Sequence, residues 1–164
     1  MMPAAPETLF YRQIDSPVGP LSLVVSEHGV VQIQFGGLAS HTSNMIESAD
    51  ETATCQVELD EYFAGGRREF TVRLDLRGTD FQKRCWQALL EIPYGQTRSY
   101  ADVARAVGRP TAFRAVGLAN GSNPIPIIVP CHRVVGSNGS LTGYGGGLDI
   151  KQKLLDLERG LCQL

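Results

Sequence analysis

Cysteine is sparse in this chain and widely scattered, with residues at positions 55, 85, 131 and 162 of 164 and no CxxC pair. Such spacing argues against a zinc ribbon and offers no disulfide framework, so reduced thiols are expected and the cytoplasm is the default compartment. Long apolar runs are missing too. No stretch approaches the roughly 18 residues of a membrane span, and no charged segment leads into an apolar one at the start, so neither a span nor a secretory signal is expected. Histidine occurs three times. His28 and His41 fall in turns without cysteines at ligand spacing, which speaks against a metal site. The glycines from Gly143 to Gly147 are not followed by Lys-Ser or Lys-Thr, so they are not a P-loop. Neither a metal nor a cofactor is expected.

What is present is enough apolar material for a core, 43% of the chain, in a length that suits one medium domain or two small lobes. The formal net charge of -2 conceals an asymmetry. Residues 1 to 76 carry 4 basic and 11 acidic side chains, whereas residues 77 to 147 carry 8 and 3. An acidic lobe beside a basic one suits a protein that meets a polyanion with one face, although two differently solvated faces would look the same.

Residues 1 to 8 read as a frayed leader. Tyr11 to Ile14, Leu21 to Val25 and Val30 to Phe35 cluster β-formers between turn-forming stretches, which predicts an antiparallel meander. Residues 36 to 54 read as a polar surface loop with room for a short helical piece, Cys55 to Ala64 as a helix stopped by Gly65-Gly66, and Phe70 to Leu76 as a further strand. From Arg77 onward the pattern turns helical. Thr79 or Asp80 can cap a helix bearing Phe81, Cys85, Ala88, Leu89 and Ile92 on one face. Ser99 and Asp102 form a capping box for Tyr100 to Val107, and Thr111 can cap Ala112 to Asn120, a helix-turn-helix. Asp149 can cap a last helix that ends near Glu158. The fold class is therefore α+β: an N-terminal antiparallel-sheet lobe with a helix over residues 1–76, then a mostly helical lobe with a helix-turn-helix over 77–164.

The most informative stretch is Pro124-Ile125-Pro126-Ile127-Ile128-Val129-Pro130-Cys131-His132-Arg133. Three prolines fix φ and remove donors, so an extended approach to Cys131 is expected. An unperturbed thiol, near pKa ~8.5, is mostly protonated at neutral pH and needs a base. His132 is next to it, but neighbours on a strand point to opposite faces, so a turn or a bridging water is required. On these residues alone, a buried apolar Cys131 and a satisfied imidazole at His132 are the more ordinary reading.

Asn123 through Val134, followed by Gly143-Tyr144-Gly145-Gly146-Gly147, resembles the signature of the O6-alkylguanine-DNA alkyltransferases, the methylated-DNA–protein-cysteine methyltransferases. The similarity runs over roughly residues 78 to 160 and more weakly before them. It implies DNA repair by direct reversal, in which Cys131 takes the alkyl group from O6-alkylguanine, with O4-alkylthymine a further candidate, and is spent after one turnover. By position, His132 is the base, Glu158 its orienting partner, and Tyr100 a proton donor towards N3 of the leaving guanine. Arg114 matches the arginine that replaces an extruded nucleotide, on a helix that lies in the minor groove of double-stranded DNA; Thr111, Ala112, Ala115 and Gly117 are its DNA-facing neighbours. Tyr144, Gly145, Gly146 and backbone at Val134 are matched to the base pocket, and Asn123 to a hinge that braces it. A monomer is implied, with cooperative binding on DNA left open. Two departures are visible. The N-terminal part lacks the Cys and His set of zinc-binding relatives, and Gly145 stands where some members have serine, which leaves only backbone to meet O6.

Two other classes remain open to the residues themselves. A non-catalytic sensor of alkylated bases needs no cysteine, and a Cys-His hydrolase would turn over repeatedly but gives the basic helix-turn-helix no role.

Overall fold

The structure, a computed structural model, describes residues 7–37 and 45–164. The expected leader up to residue 6 and residues 38–44 of the 36–54 loop, His41 among them, lie outside the described residues. Strands β1 (Leu9–Ile14), β2 (Leu21–Ser26) and β3 (Gly29–Phe35) form the expected antiparallel meander. A short β4 (Met45–Glu47) adds parallel to β1, giving the order β3-β2-β1-β4. Every residue of β2 is buried, as a central strand with both faces covered must be.

Helix α1 (Ala49–Phe63) lies against β1 and β2 and begins six residues before the apolar spacing suggested. Its first turn is polar, so hydrophobic periodicity could not reveal it; Ser48 Oγ accepts from Glu51 N at 3.1 Å and caps it. The strand expected over Phe70 to Leu76 does not form. It touches the sheet through one parallel bridge, Val30 to Leu74. The buried Glu58 carboxylate explains why: Oε1 takes the amides of Thr71 and Val72 at 2.7 and 3.3 Å, so a side chain serves donors that a ladder would have used.

The C-terminal part is built on α2 (Asp80–Leu90), α3 (Tyr100–Ala106), α4 (Phe113–Gly121) and α5 (Leu148–Glu158). Thr79 with Gln82, and Ser99 with Asp102, both form complete capping boxes. Trp86, 1% exposed, donates from Nε1 to Ala119 O at 2.8 Å and pins α2 to α4. The two-residue strands β5 (Arg98–Ser99) and β6 (Val134–Val135) pair in parallel and tie the start of α3 to the chain just after Cys131.

Three local expectations are corrected. Thr111 does not cap α4. The turn closed by Ala112 N to Arg109 O at 2.9 Å puts Ala112 at the boundary, where no side chain caps. Asp149 is not the cap of α5 either; Gly147, at φ 97°, precedes the helix, and Asp149 sits in its first turn facing the positive end of the dipole. The proline segment is coiled rather than extended. Val129 N reaches Ile125 O at 2.9 Å and Ile127 sits at φ 75°. A left-handed β-branched residue is strained, and Asn123 holds the coil closed: Nδ2 donates to Val129 O at 2.8 Å, while Oδ1 accepts from Ile125 N at 2.9 Å.

Candidate active site

The coil delivers the chain into a single 3-10 turn, Cys131–Arg133, so the turn that a Cys-His partnership needs is present. Cys131 is 5% exposed and its neighbour His132 is fully buried. His132 Nε2 lies 2.6 Å from Glu158 Oε2, in the last turn of α5. A carboxylate can only accept, so Nε2 carries the proton and Nδ1 keeps its lone pair. Nδ1 is buried without a partner among the described residues, the arrangement of an imidazole able to take a proton.

A glutamate at a helix C-terminus opposes the dipole, and the structure supplies the compensation. Arg133 donates Nε to Oε1 at 2.7 Å and Nη2 to Oε2 at 3.0 Å, Gly95 N reaches Oε1 at 3.2 Å, and Tyr62 OH donates to Oε2 at 2.6 Å. Burial alone would raise the carboxyl, but the hydrogen bonds from His132 and Arg133 and the charge of Arg133 hold it well below the usual range. Burial pushes the His132 imidazole down, against the raising effect of Glu158, which keeps it neutral at rest. The Cys131 thiol is pushed up to about 11 by burial, with the Asn123 amide and the Lys151 ammonium offsetting part of it. The resting pair is thus thiol and neutral imidazole.

Cys131 borders a cavity of about 280 Å³, lined also by Asn120, Asn123, Gly143, Tyr144 and Gly145 and, from β3, by Gln32 through Phe35. Tyr144 stands edge-on to Phe35 with centroids 5.6 Å apart, and burial drives its phenol well above its ordinary range. Gly146 packs against the Phe35 ring instead of lining the cavity; an added Cβ would come within 3.1 Å. Val134 is buried, its carbonyl accepting from Lys151 Nζ at 2.7 Å. Tyr100 stands beside the cavity, held next to Gly143 of its wall through Thr142. Its hydroxyl is 2.5 Å from Thr142 Oγ1. On α4, Arg114 and Ala115 are exposed and Gly117 half-buried; just before it Thr111 is exposed and Ala112 half-buried, and Arg114 has no ion pair among the described residues. No group of three or more His, Cys, Asp or Glu among the described residues could hold a metal, and no helix among them is long and apolar enough to cross a membrane.

The family model for the 6-O-methylguanine DNA methyltransferase ribonuclease-like domain matches residues 9–76, and that for the DNA binding domain of the same family matches residues 80–160. The methylated-DNA–protein-cysteine methyltransferase of Mycobacterium tuberculosis (strain H37Rv) is 54% identical over 155 residues, 92% of this chain and 93% of that protein. The chain belongs to the 6-O-methylguanine DNA methyltransferase family. Its likeness extends to Methanosarcina acetivorans, whose methylated-DNA–protein-cysteine methyltransferase is 47% identical over 94% of this chain and 100% of that one. The crystal structure of M. tuberculosis OGT in complex with DNA superposes with a TM-score of 0.87 at 51% identity, covering 94% of this chain and 95% of that one. The O6-methylguanine-DNA methyltransferase of Pyrococcus kodakaraensis superposes at 0.63 with 26% identity, covering 92% and 99%.

Within this methyltransferase, four side chains around the site escaped the reading from sequence. Arg133 sits in the Cys-His-Arg run, so its adjacency was a signal, but its buried grip on Glu158 was not. Lys151, fully buried, was detectable as a lysine on the apolar face of α5. Asn120, 6% exposed, reaches Cys131 O at 3.5 Å from the end of α4. Tyr62 reads as an ordinary core aromatic, and nothing in its spacing separates it from one.

Proposed function

We propose that this methyltransferase repairs duplex DNA by moving the alkyl group of O6-alkylguanine onto Cys131, irreversibly and once per molecule. The observation that carries the reading is His132, fully buried, fixed through Nε2 by Glu158 and left with a free Nδ1 one residue from a cavity-lining thiol. The thiol proton passes to His132 through a bridging water, and the thiolate attacks the alkyl carbon. A carbon–sulfur bond forms as the carbon–O6 bond breaks, and the electron pair leaves with the purine. Guanine departs neutral when a proton reaches N3, the role this reading gives to Tyr100. Glu158 keeps the imidazole oriented and stabilises it once charged, as the third member of a triad does. A thioether is a poor leaving group, so no thiolate is regenerated.

The target carbon is inside a duplex, so the base must be flipped into the cavity beside Tyr144 and Gly145, at a cost of a few kcal/mol that a poorly paired lesion lowers. Helix α4 suits close approach to a minor groove because Ala112, Ala115 and Gly117 are small. Arg114, exposed and unpaired among the described residues, is the group to fill the gap in the stack. Backbone at Cys131, Val134 and Gly145 and the brace of Asn123 belong to the same pocket, with Gly146 supporting it from behind against Phe35. The division at residues 76 and 77 into an N-terminal α+β lobe and a DNA-binding, catalytic lobe is part of this reading, as are action as a monomer and residence in the cytoplasm, the latter supported by four unpaired cysteines.

The test is intact mass after mixing excess duplex containing O6-methylguanine with the protein, beside Cys131→Ser. One added methyl on Cys131, absent from the variant, is expected. Unchanged mass with tight lesion binding would favour a sensor; repeated turnover of an acyl substrate would favour a hydrolase.

A further inference from the structure

We propose that Tyr62, on the N-terminal helix α1, is a positioning residue for alkyl transfer: it holds the Glu158 carboxylate in the orientation that His132 requires. The inference rests on the reading that Glu158 acts through His132. Tyr62 OH and His132 Nε2 meet the same oxygen, Oε2, each at 2.6 Å. Tyr62 is fully buried, 96 residues before Glu158 in the chain, inside the segment matched to the ribonuclease-like domain, while Glu158 lies in the DNA-binding segment. The N-terminal half thereby supplies a hydrogen bond to the catalytic network of the other half.

Two features make this contact more than core packing. The phenol is fixed on three sides, by Phe63 at 5.6 Å, Phe70 at 5.5 Å and Tyr94 at 6.2 Å between ring centroids, so its hydroxyl cannot follow a moving partner. The two carboxylate oxygens are also engaged differently. Oε1 is taken by Arg133 Nε and Gly95 N, whereas Oε2 is shared by His132, Tyr62 and Arg133 Nη2. A phenol beside an ionised carboxylate donates, and it draws charge away from the oxygen that faces the imidazole. Without it, the anion concentrates on His132, the imidazole holds a proton more tightly, and the pH below which it is protonated and cannot serve as a base rises.

The ionisable groups that bear on Glu158 and His132 are Tyr62 from α1, Tyr94 from the loop after α2, Cys131 and Arg133 from the 3-10 turn, Tyr144 from the glycine segment and Lys151 from α5. Of these, Tyr62 and Arg133 donate directly to the carboxylate. Tyr62→Phe removes one donor and keeps the ring, so it isolates the hydroxyl.

The experiment measures single-turnover methyl transfer from duplex O6-methylguanine to Cys131 in the full chain, from about pH 5 to about pH 9, for wild type, Tyr62→Phe, Glu158→Gln and Leu59→Ala, with lesion affinity and melting temperature for each. Leu59, buried on the same helix, controls for loosened packing. For Tyr62→Phe the acid limb should move up by about half to one pH unit and the rate near neutrality fall roughly three- to tenfold, with lesion binding unchanged, the size of one net hydrogen bond. Leu59→Ala should melt earlier with its acid limb unmoved. A lower melting point for Tyr62→Phe with the wild-type pH profile would make Tyr62 purely structural and overturn the inference. If Glu158→Gln itself keeps wild-type rate and profile, the Glu158–His132 reading fails and this inference falls with it.

Discussion

Glu158→Gln probes the site at the point where most of its hydrogen bonds converge. Five donors face the carboxylate, from Tyr62, Gly95, His132 and twice from Arg133. An amide presents N–H on one side, so at least two of them, whichever way it is turned, meet a donor where they had an acceptor. Arg133 also keeps its charge at 6% exposure but loses its anionic partner, left with neutral acceptors: the Ile92 carbonyl at 2.7 Å and the one oxygen the amide retains. Removing one member of a buried ion pair costs about 3–5 kcal/mol, out of a domain stability of about 5–15 kcal/mol. For a chain of this length that corresponds to a melting point lowered by roughly 6–20 °C, so the variant should still fold at room temperature. The loss should depend on pH. The folded carboxyl is held below its ordinary value, so its contribution is fully present above the unfolded pKa near ~4.3 and disappears as pH falls through the folded one. Wild type and variant should converge in melting temperature under strong acid. In alkyl transfer, measured by rapid quench with labelled duplex below the melting point, the variant should be slower by about a hundredfold or more, the range of general-base contributions, with lesion affinity nearly unchanged. A folded variant transferring within about threefold of wild type near neutral pH would refute the assignment of Glu158 to His132.

Other outcomes are as specific. Arg114→Ala should slow repair of a lesion in duplex DNA about ten- to a hundredfold, the scale of a base-flipping cost, and leave reaction with free O6-benzylguanine nearly unchanged; equal losses would remove the finger role. Gly95→Ala should lower the melting point by roughly 2–10 °C, because Gly95 sits at φ 81° and a Cβ would come 3.1 Å from Glu158 O. With its thiol pushed up to about 11, Cys131 should react with a small electrophile such as iodoacetamide more slowly than the half-buried Cys162 at neutral pH, and accelerate steeply in alkali. Because burial depresses the His132 pKa, the unfolded chain binds its proton first; stability from this group is complete above about pH 6.5 and is lost as pH falls from there towards the folded value, visible as a melting point that drops across that window.

Much was legible from local chemistry. Thr79 and Ser99 announce their helices because a cap and its partner three residues on are a short-range device. Strands β1 to β3 were visible because their β-formers cluster between turn residues. Cys131, His132, Asn123 and Tyr144 were marked by a motif that no periodicity could have supplied. Three of the misses share one cause. The start of α1 is polar, the Phe70 to Leu76 segment spends its amides on Glu58, and the proline run coils around the Asn123 side chain, so in each case a side chain satisfies backbone groups that sequence reasoning assigns to a ladder, a loop or solvent.

The sequence by itself determined that a thiol and an imidazole stand side by side behind a stiff apolar segment, which helices precede and follow them, and which half is basic, since these depend on neighbours a few residues apart. Only the tertiary structure decided the state of those groups. The 3-10 turn aims His132 at the end of α5, Arg133 and Tyr62 arrive from 25 and 96 residues away to hold Glu158 ionised, and burial keeps the thiol and the imidazole neutral until they are needed. A pKa is set by what surrounds a group in space, and that surrounding is assembled from both halves of the chain.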